Sequence, residues 1–344
     1  MRTFATFLLL FLLLIVAFLV DIFWGSVSIP YNEFGTILFD PHSAKPEWVY
    51  IVWEMRIPAA ITALLVGASL SSSGLVMQTL FRNPLADAGI LGVSGGAGLG
   101  VALFMMGGTL WGQIPSITSF IEMGGIIFFA IAGAVLVLAL IAAVSYTTSD
   151  ITRVLIVGVM LSFLTGSVVS LLQYFAPSEL VKGFQVWSFG SLEGSTSRST
   201  LLLSLIVIPA LLLISFFPKA LNTMLLGDAY ARSLGTSTKR MRRFLILLTG
   251  IITGTITAFV GPIAFIGIAV PHLVKSIAKT SNHRQLIPLS LLGGSVLMLL
   301  CHIVSHLPQG GLILPINVVT SVVGAPIVIA VILKRNSPRN LLHR

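Results

Sequence analysis

Long apolar segments alternate with short polar connections along almost the whole chain. Crossing a bilayer takes about 20 apolar residues per helix, and the length of this chain accommodates about ten such crossings. Backbone polar groups cannot stay unpaired in hydrocarbon, so the crossing segments are expected to be helices. Charged residues make up only 9% of the chain, against about a quarter in a typical soluble protein. The pattern therefore predicts an all-α polytopic membrane protein.

The ten predicted spans divide the basic residues unequally. With the N terminus placed inside the cell, 16 of the 20 Lys and Arg residues fall on the inner side and four on the outer side. Because positive residues accumulate in cytoplasmic loops, this bias supports ten spans with both termini in the cytoplasm. The first apolar run has no small-x-small cleavage site after it, so we expect an uncleaved first span. The predicted spans are 4–22, 57–80, 89–107, 116–144, 153–175, 199–217, 244–260, 263–279, 286–304 and 313–333.

Composition and motifs also limit the function. The net charge of +9 comes from residues between apolar runs and in the C-terminal tail, so the membrane explains it better than nucleic acid does. A single cysteine, Cys301, excludes an internal disulfide and a Cys-based metal cluster, and we expect it to pack between helices. The chain has no G-x-x-x-x-G-K-[ST] loop, so it does not hydrolyse ATP by that route. Scarce ionisable residues within the spans argue against an ion-coupled secondary carrier or an intramembrane enzyme, without excluding either.

The longest polar interruption in the second half is the segment 218–243, called here the basic segment. It contains seven ionisable residues, six of them basic. Gly227 and Asp228 are expected to break or cap two short helical turns, and Gly235 to end the second turn in the left-handed conformation. Composition alone leaves two interpretations open, a basic loop resting on lipid headgroups and a docking element for a cytoplasmic partner.

Two stretches, 80–91 and 260–272, combine proline and glycine with apolar residues. Interrupted helices of this kind are tolerated where the freed backbone groups are buried in protein or line a cavity. The stretches follow spans two and seven, which run in opposite directions. We therefore expect an inverted-topology repeat, a common plan in transporters. Ordinary tight turns between spans are the alternative.

Glycines and histidines within the spans give weaker signals. Gly92, Gly96 and Gly100 repeat every four residues and are expected to form one smooth helix face for close packing. His302 and His306 lie on one helix face at i, i+4. Polar groups at the membrane interface are the favoured interpretation of these histidines, so we predict no metal site.

The stretch 56–100, RIPAAITALLVGASLSSSGLVMQTLFRNPLADAGILGVSGGAGLG, closely resembles the signature of the FecCD family. That family comprises permease subunits of ATP-binding-cassette (ABC) importers for iron-siderophores, haem and cobalamin. Further stretches resemble family motifs in the family's order, and together they cover nearly the whole chain: WSFGSL (187–192), GDAYARSLG (227–235), GPIAFIGIAVPH (261–272) and LPINVVTSVVGAP (314–326).

The resemblance implies a ten-helix type II importer fold, with 1–344 forming one transmembrane permease domain. The permease would work in the bacterial inner membrane, as a homodimer or with a paralogue, around a substrate path on the dimer axis. The basic segment would contact a separate ATPase subunit, which would carry ATP and Mg²⁺, so this chain would be no enzyme and need no cofactor. An extracytoplasmic substrate-binding protein would deliver an iron-siderophore, the commonest substrate class among relatives, with haem or cobalamin as alternatives.

The resemblance also carries over to individual positions. Arg56 matches the arginine that docks the binding protein, although Ala59 stands where the family often has a second arginine and Ser305-His306 where it tends to have a third. The positions that match the ATPase-coupling motif are Leu226, Gly227, Asp228, Ala231, Ser233, Leu234 and Gly235. The positions that match the motifs around the interrupted helices are Arg82, Asn83, Pro84, Gly92, Gly96, Gly261, Pro262, Phe265, Gly267, Pro271 and His272. The cytoplasmic gate would lie at Thr148, Ser149, Asp150 and Thr152, where the match is loose.

Overall fold

The computed structural model describes residues 2–107, 118–148, 150–235, 237–308 and 312–335. Within these ranges the chain forms helices joined by turns, without strands, as predicted. They include one π-helical segment, Ile51–Arg56, and one 3₁₀ turn, Ala88–Leu91. The α-helices are α1 Arg2–Phe23, α2 Glu33–Phe39, α3 Pro46–Tyr50, α4 Ile57–Phe81, α5 Val93–Met106, α6 Thr118–Thr147, α7 Ile151–Phe175, α8 Ser178–Ser188, α9 Ser197–Ser215, α10 Pro218–Leu225, α11 Asp228–Ser233, α12 Thr238–Val260, α13 Ile266–Ala278, α14 His283–Ser305 and α15 Ile316–Arg335.

The ten predicted spans each correspond to a helix. Among the described residues, seven helical stretches are long and apolar enough to cross a membrane, and three shorter apolar helices, α5, α13 and α15, account for the others. The largest boundary difference is in α12, which begins at Thr238 rather than at 244. Lys and Arg are good helix formers, so the helix extends through the basic residues beyond the apolar run.

Helix α4 is the centre of the bundle. In the most apolar 18-residue stretch of the helical segment that ends with α4, 89% of the residues are buried, whereas the corresponding fraction in α1 is 11%. Glycines permit this burial, because a Cβ atom on Gly67 would overlap the carbonyl of Gly294 in α14, and one on Gly74 would overlap that of Gly267 in α13. In a membrane, where lipid is as apolar as the side chains, such backbone contact is a main source of helix association.

The predicted glycine face is correct for two of its three members. A Cβ atom on Gly96 would lie 2.5 Å from the carbonyl oxygen of Gly133 in α6, and one on Gly100 would overlap the carbonyl of Phe129. Gly92 instead precedes α5 at φ +81° and faces Gly158 in α7. The three glycines therefore serve two helix contacts, because the helix begins one residue after Gly92.

Both predicted helix interruptions are present. The first begins at Arg82, which ends α4 at φ +47°, and runs to Gly92. The second is shorter than predicted, from Gly261 at φ +79° to Phe265 at φ +68°. Pro271 and His272 lie inside α13, since a proline that is already one turn into a helix does not have to end it.

Helix α14 runs from one end of the bundle to the other. His283, its first residue, contacts α10 of the basic segment, and Ser305 is its last residue. At ~1.5 Å per residue these positions are roughly 30 Å apart, about the thickness of a bilayer core. We call them the basic end and the opposite end.

Candidate functional site

The basic segment forms two short helices, α10 and α11, with a break at Gly227. Gly227 has φ +114° and Gly235 has φ +80°, backbone conformations that favour glycine, so both predicted interruptions are confirmed. Leu221, Met224 and Ala231 are buried against the bundle. The apolar side chains of one face of this element therefore hold it onto the ends of the long helices.

The outer surface of the same element is apolar as well. The predicted coupling residues Leu226 and Leu234 are 66% and 56% exposed, and Tyr230 between them is 50% exposed. Large exposed apolar groups on a segment that is otherwise polar are typical of a surface that contacts another protein. Of the remaining coupling positions, Ser233 is exposed, and its hydroxyl donates to the carbonyl of Tyr230.

Asp228 does not face outward but ties the element to two long helices. Its carboxylate accepts from Nη2 of Arg242 in α12 at 2.8 and 3.0 Å, and lies 3.4 Å from Nη2 of Arg82 at the end of α4. The same Arg82 nitrogen donates to the carbonyl of Met224 at 3.2 Å. Charge-assisted bonds of this kind are stronger than neutral ones, so Asp228 holds the segment to α4 and α12. Its role in coupling stays a prediction.

A second anchor joins α10 to α14 and α4. Asn222 accepts from the backbone N–H of His283 at 2.9 Å and from its Nδ1 at 2.8 Å, and donates from Nδ2 to Asn282 at 2.9 Å. On the other side of the ring, His283 Nε2 lies 2.7 Å from Oγ1 of Thr79. The sequence indicates Asn282 as a helix cap before an apolar run, but no local pattern pairs Asn222 with a histidine 61 residues away.

The first helix interruption packs against α13, the helix that follows the second interruption. His272 Nε2 lies 2.8 Å from the carbonyl oxygen of Pro84, and Gln78 donates to the carbonyl of Gly267 at 3.3 Å. Asn83 closes the first interruption by accepting from the N–H of Leu85 at 3.0 Å. The structure thus brings together the family-motif residues of 82–84 and 267–272, in the two halves of the chain. Of the remaining ones, Pro262 follows Gly261 in the second interruption.

Of the predicted gate residues, Thr148 and Asp150 lie between α6 and α7, and Thr152 is the second residue of α7. Ser149 lies outside the described residues. Asp150 caps α7 by accepting from the N–H of Thr152 at 2.9 Å, and Thr148 Oγ1 accepts from the N–H of Asp150 at 3.1 Å. These contacts order the turn locally. Its role as a gate stays a prediction.

Arg243, the last residue of the basic segment, reaches this turn. It donates from Nε to the carbonyl of Ser145 at 3.0 Å, and its guanidinium lies 4.4 Å from the ring centre of Tyr146. Arg243 therefore links the basic segment to the last turn of α6, next to the α6–α7 connection.

Arg56 lies at the opposite end and is almost fully buried, with 9% of its surface exposed. Nη1 donates to the carbonyls of Ile22 at 2.9 Å and Phe23 at 3.1 Å, and Nη2 donates to that of Val27. These contacts join the start of α4 to the end of α1. Docking of a binding protein by Arg56 stays a prediction, and in this conformation the guanidinium is bound by backbone carbonyls of its own chain.

Comparison with known proteins agrees with this architecture. A model of the FecCD transport family matches residues 13–334. The vitamin B12 import system permease protein BtuC of Escherichia coli O157:H7 is 36% identical over 290 residues, which cover 84% of this chain and 86% of that protein. BtuC of Escherichia coli O1:K1 is 36% identical over 289 residues, which cover 84% of this chain and 85% of that protein. A solved structure of a metal-chelate type ABC transporter in an inward-facing conformation superposes with a TM-score of 0.81 at 27% identity, covering 95% of this chain and 98% of that one.

Proposed function

Because the chain belongs to the FecCD transport family, we propose that this multi-pass membrane protein is the permease subunit of an ATP-driven, binding-protein-dependent importer. The proposed substrate is a bulky metal chelate, with an iron-siderophore favoured and haem or cobalamin as alternatives. In this proposal the basic end faces the cytoplasm, as the distribution of Lys and Arg indicates, and the protein works in a bacterial inner membrane.

The observation that carries the proposal is the two-sided build of α10 and α11. Buried side chains and the Asp228 and Asn222 anchors fix the inner side to α4, α12 and α14. The outer side leaves Leu226, Tyr230 and Leu234 exposed. An element whose inner face is fixed to the bundle and whose outer face exposes large apolar side chains is suited to transfer motion from a separate ATPase subunit.

The proposed mechanism is alternating access. Closure of the ATPase subunits would displace α10 and α11, and the anchored ends of α4, α12 and α14 would move with them as packed bodies. Arg243 would pass the same displacement to the α6–α7 turn, where the gate is predicted. The residues of this chain would thus supply coupling and a path, while the partner subunit would supply the chemistry of ATP.

Helix α7 is the proposed lining of the path at the interface with a second copy or a paralogue. Its exposed residues include Gly166, Ser167 and Ser170, and each serine donates to the carbonyl four residues earlier. Large side chains, among them Phe163 and Tyr174, are exposed beside these small residues. The resulting mixed surface, with its serine hydroxyl hydrogens already paired, is proposed to contact the second copy and a bulky solute.

A copurification experiment tests the coupling role. The tagged chain is extracted from its native membrane in mild detergent as wild type, as Leu226→Asp and as a Phe39→Asp control, and the proteins that elute with it are identified. Phe39 is 89% exposed at the opposite end, so the control makes the same chemical change away from the proposed interface. We expect an ATPase subunit with wild type and control and its loss with Leu226→Asp. Equal recovery from all three would refute the proposed interface.

A further inference from the structure

A second cluster of polar side chains lies at the opposite end, where α14 meets the 189–196 connection and the end of α1. Glu193 Oε1 is 3.1 Å from Nε2 of His302 and 2.9 Å from Nε2 of His306. One potential ligand atom from each residue lies within 4.8 Å of the other two. His302 is buried, and the other two are partly buried. The i, i+4 spacing noted in the sequence thus brings both imidazoles to one carboxylate.

The hydrogen-bond partners determine which ring nitrogens are bare. His302 Nδ1 lies 2.8 and 2.9 Å from the carboxylate oxygens of Asp21, and His306 Nδ1 lies 2.9 Å from the carbonyl oxygen of His302. An ionised carboxylate and a carbonyl only accept, so Nδ1 carries the hydrogen in both rings. In the neutral rings the lone pairs of both Nε2 atoms therefore face Glu193. Three acceptor atoms converge, and a positive species between them is required.

We propose that Glu193, His302 and His306 form a binding site for a divalent transition-metal ion of the Zn²⁺ type. Two imidazole nitrogens and one carboxylate oxygen are a ligand set that Zn²⁺ takes in proteins, with a fourth position left for water or another donor. Asp21 supplies the outer partner that orients His302, in the carboxylate–histidine arrangement common at such sites. This inference concerns a different end of the molecule from the coupling surface and does not depend on it.

The surrounding charges favour a cation. With neutral imidazoles, the carboxylates of Asp21 and Glu193 face the one guanidinium of Arg56, which leaves one negative charge unbalanced. The donors of Arg56 are directed at backbone carbonyls, so they do not compete for Glu193.

The cluster also has room beside it. A cavity next to the three ligands is lined by side chains that include Trp24, Met55 and Arg56. This space supplies the fourth position and an entry path for the ion. The alternative is that two protons, one on each Nε2, take the place of the metal and bind the histidines to Glu193 as an ion pair.

Metal titration of the full chain decides between these alternatives. The chain is purified in detergent with a tag that contains no histidine, stripped with EDTA, and titrated with Zn²⁺ by calorimetry. We expect one Zn²⁺ per wild-type chain and no stoichiometric binding in His306→Gln or Glu193→Gln. His42→Gln removes an exposed histidine from the same end and is expected to bind as wild type does. Elution volume and helicity, measured for every variant, report whether it is folded.

Two further measurements keep the test independent of any variant that misfolds. Asp21→Asn retains all three ligands and is expected to weaken Zn²⁺ binding by about 10–100-fold. X-ray absorption of the Zn²⁺-loaded wild type is expected to show two imidazole ligands. A wild type without stoichiometric binding, a metal without imidazole ligands, or full binding in both ligand variants would overturn the proposal in favour of the ion pair.

Discussion

Replacement of Asp228 by alanine tests whether one strong ion pair holds the basic segment in place. Arg242 donates to both carboxylate oxygens, and its side chain is 9% exposed, so the change removes two charge-assisted bonds from a buried guanidinium. Removing one partner of a fully buried pair costs ~3–5 kcal/mol. Because the Asp228 side chain is 35% exposed, we expect a smaller coupling energy of about 2 kcal/mol, typical of hydrogen bonds to charged groups.

A double-mutant cycle isolates that coupling. The free energy of unfolding in detergent is measured for Asp228→Ala, Arg242→Ala and the double variant, with tryptophan fluorescence as the signal. The matched cycle uses Arg82, which lies 3.4 Å from the same carboxylate but has a side chain that is 49% exposed. Solvent weakens this second pair, so its coupling energy is expected below about 1 kcal/mol.

The comparison between the two cycles is the decisive result. A coupling energy for Arg242 no larger than that for Arg82 would show that burial does not set the strength of these contacts, and would refute the reasoning. A large coupling together with unchanged ATPase copurification in Asp228→Ala would show instead that the anchor stabilises the fold without positioning the coupling surface.

Two further predictions concern α4 and Arg56, the residue before it. Gly74→Val is expected to lower the unfolding temperature in detergent, because the new Cβ atom would overlap the carbonyl of Gly267. Overpacking of this kind costs ~1–3 kcal/mol. Gly166→Val is the control, since no atom lies within 4 Å of the Cβ position of Gly166. Equal unfolding temperatures would contradict the close approach of α4 and α13. Arg56→Glu is expected to weaken docking of the substrate-binding protein while the ATPase stays associated, and Arg56→Lys, which keeps the charge, is expected to retain docking. The same docking affinity in both Arg56 variants would exclude a charge-dependent role.

The spans and helix interruptions were predictable because their signals are local. Apolar length determines where a helix crosses hydrocarbon, and every predicted span corresponds to a helix. Proline and glycine close to Arg82 and Gly261 marked both breaks. The extent of the second break was wrong, since the residues before Pro271 continue as helix and a proline alone does not show whether its helix has already begun.

The anchors of the basic segment were only partly predictable. Asp228 was identified as a coupling residue from its motif, but nothing in the motif indicates that it faces Arg242 rather than a partner. No local pattern indicates Asn222 and His283, because the bond between them joins two separate helices. The burial of Arg56 was not predictable either. An arginine that follows a polar loop is expected to be exposed, whereas Arg56 is buried in the fold.

The sequence by itself determined that this protein is an all-helical membrane protein, which segments form its apolar helices and where the two helix interruptions begin. Each of these follows from hydropathy, charge and backbone preference over a few neighbouring residues. Only the tertiary structure decided which polar side chains meet. Asp21, Glu193, His302 and His306 come from three parts of the chain and converge only because α1, the 189–196 connection and α14 end at the same depth. Their chemistry depends on distances of about 3 Å, which packing alone sets.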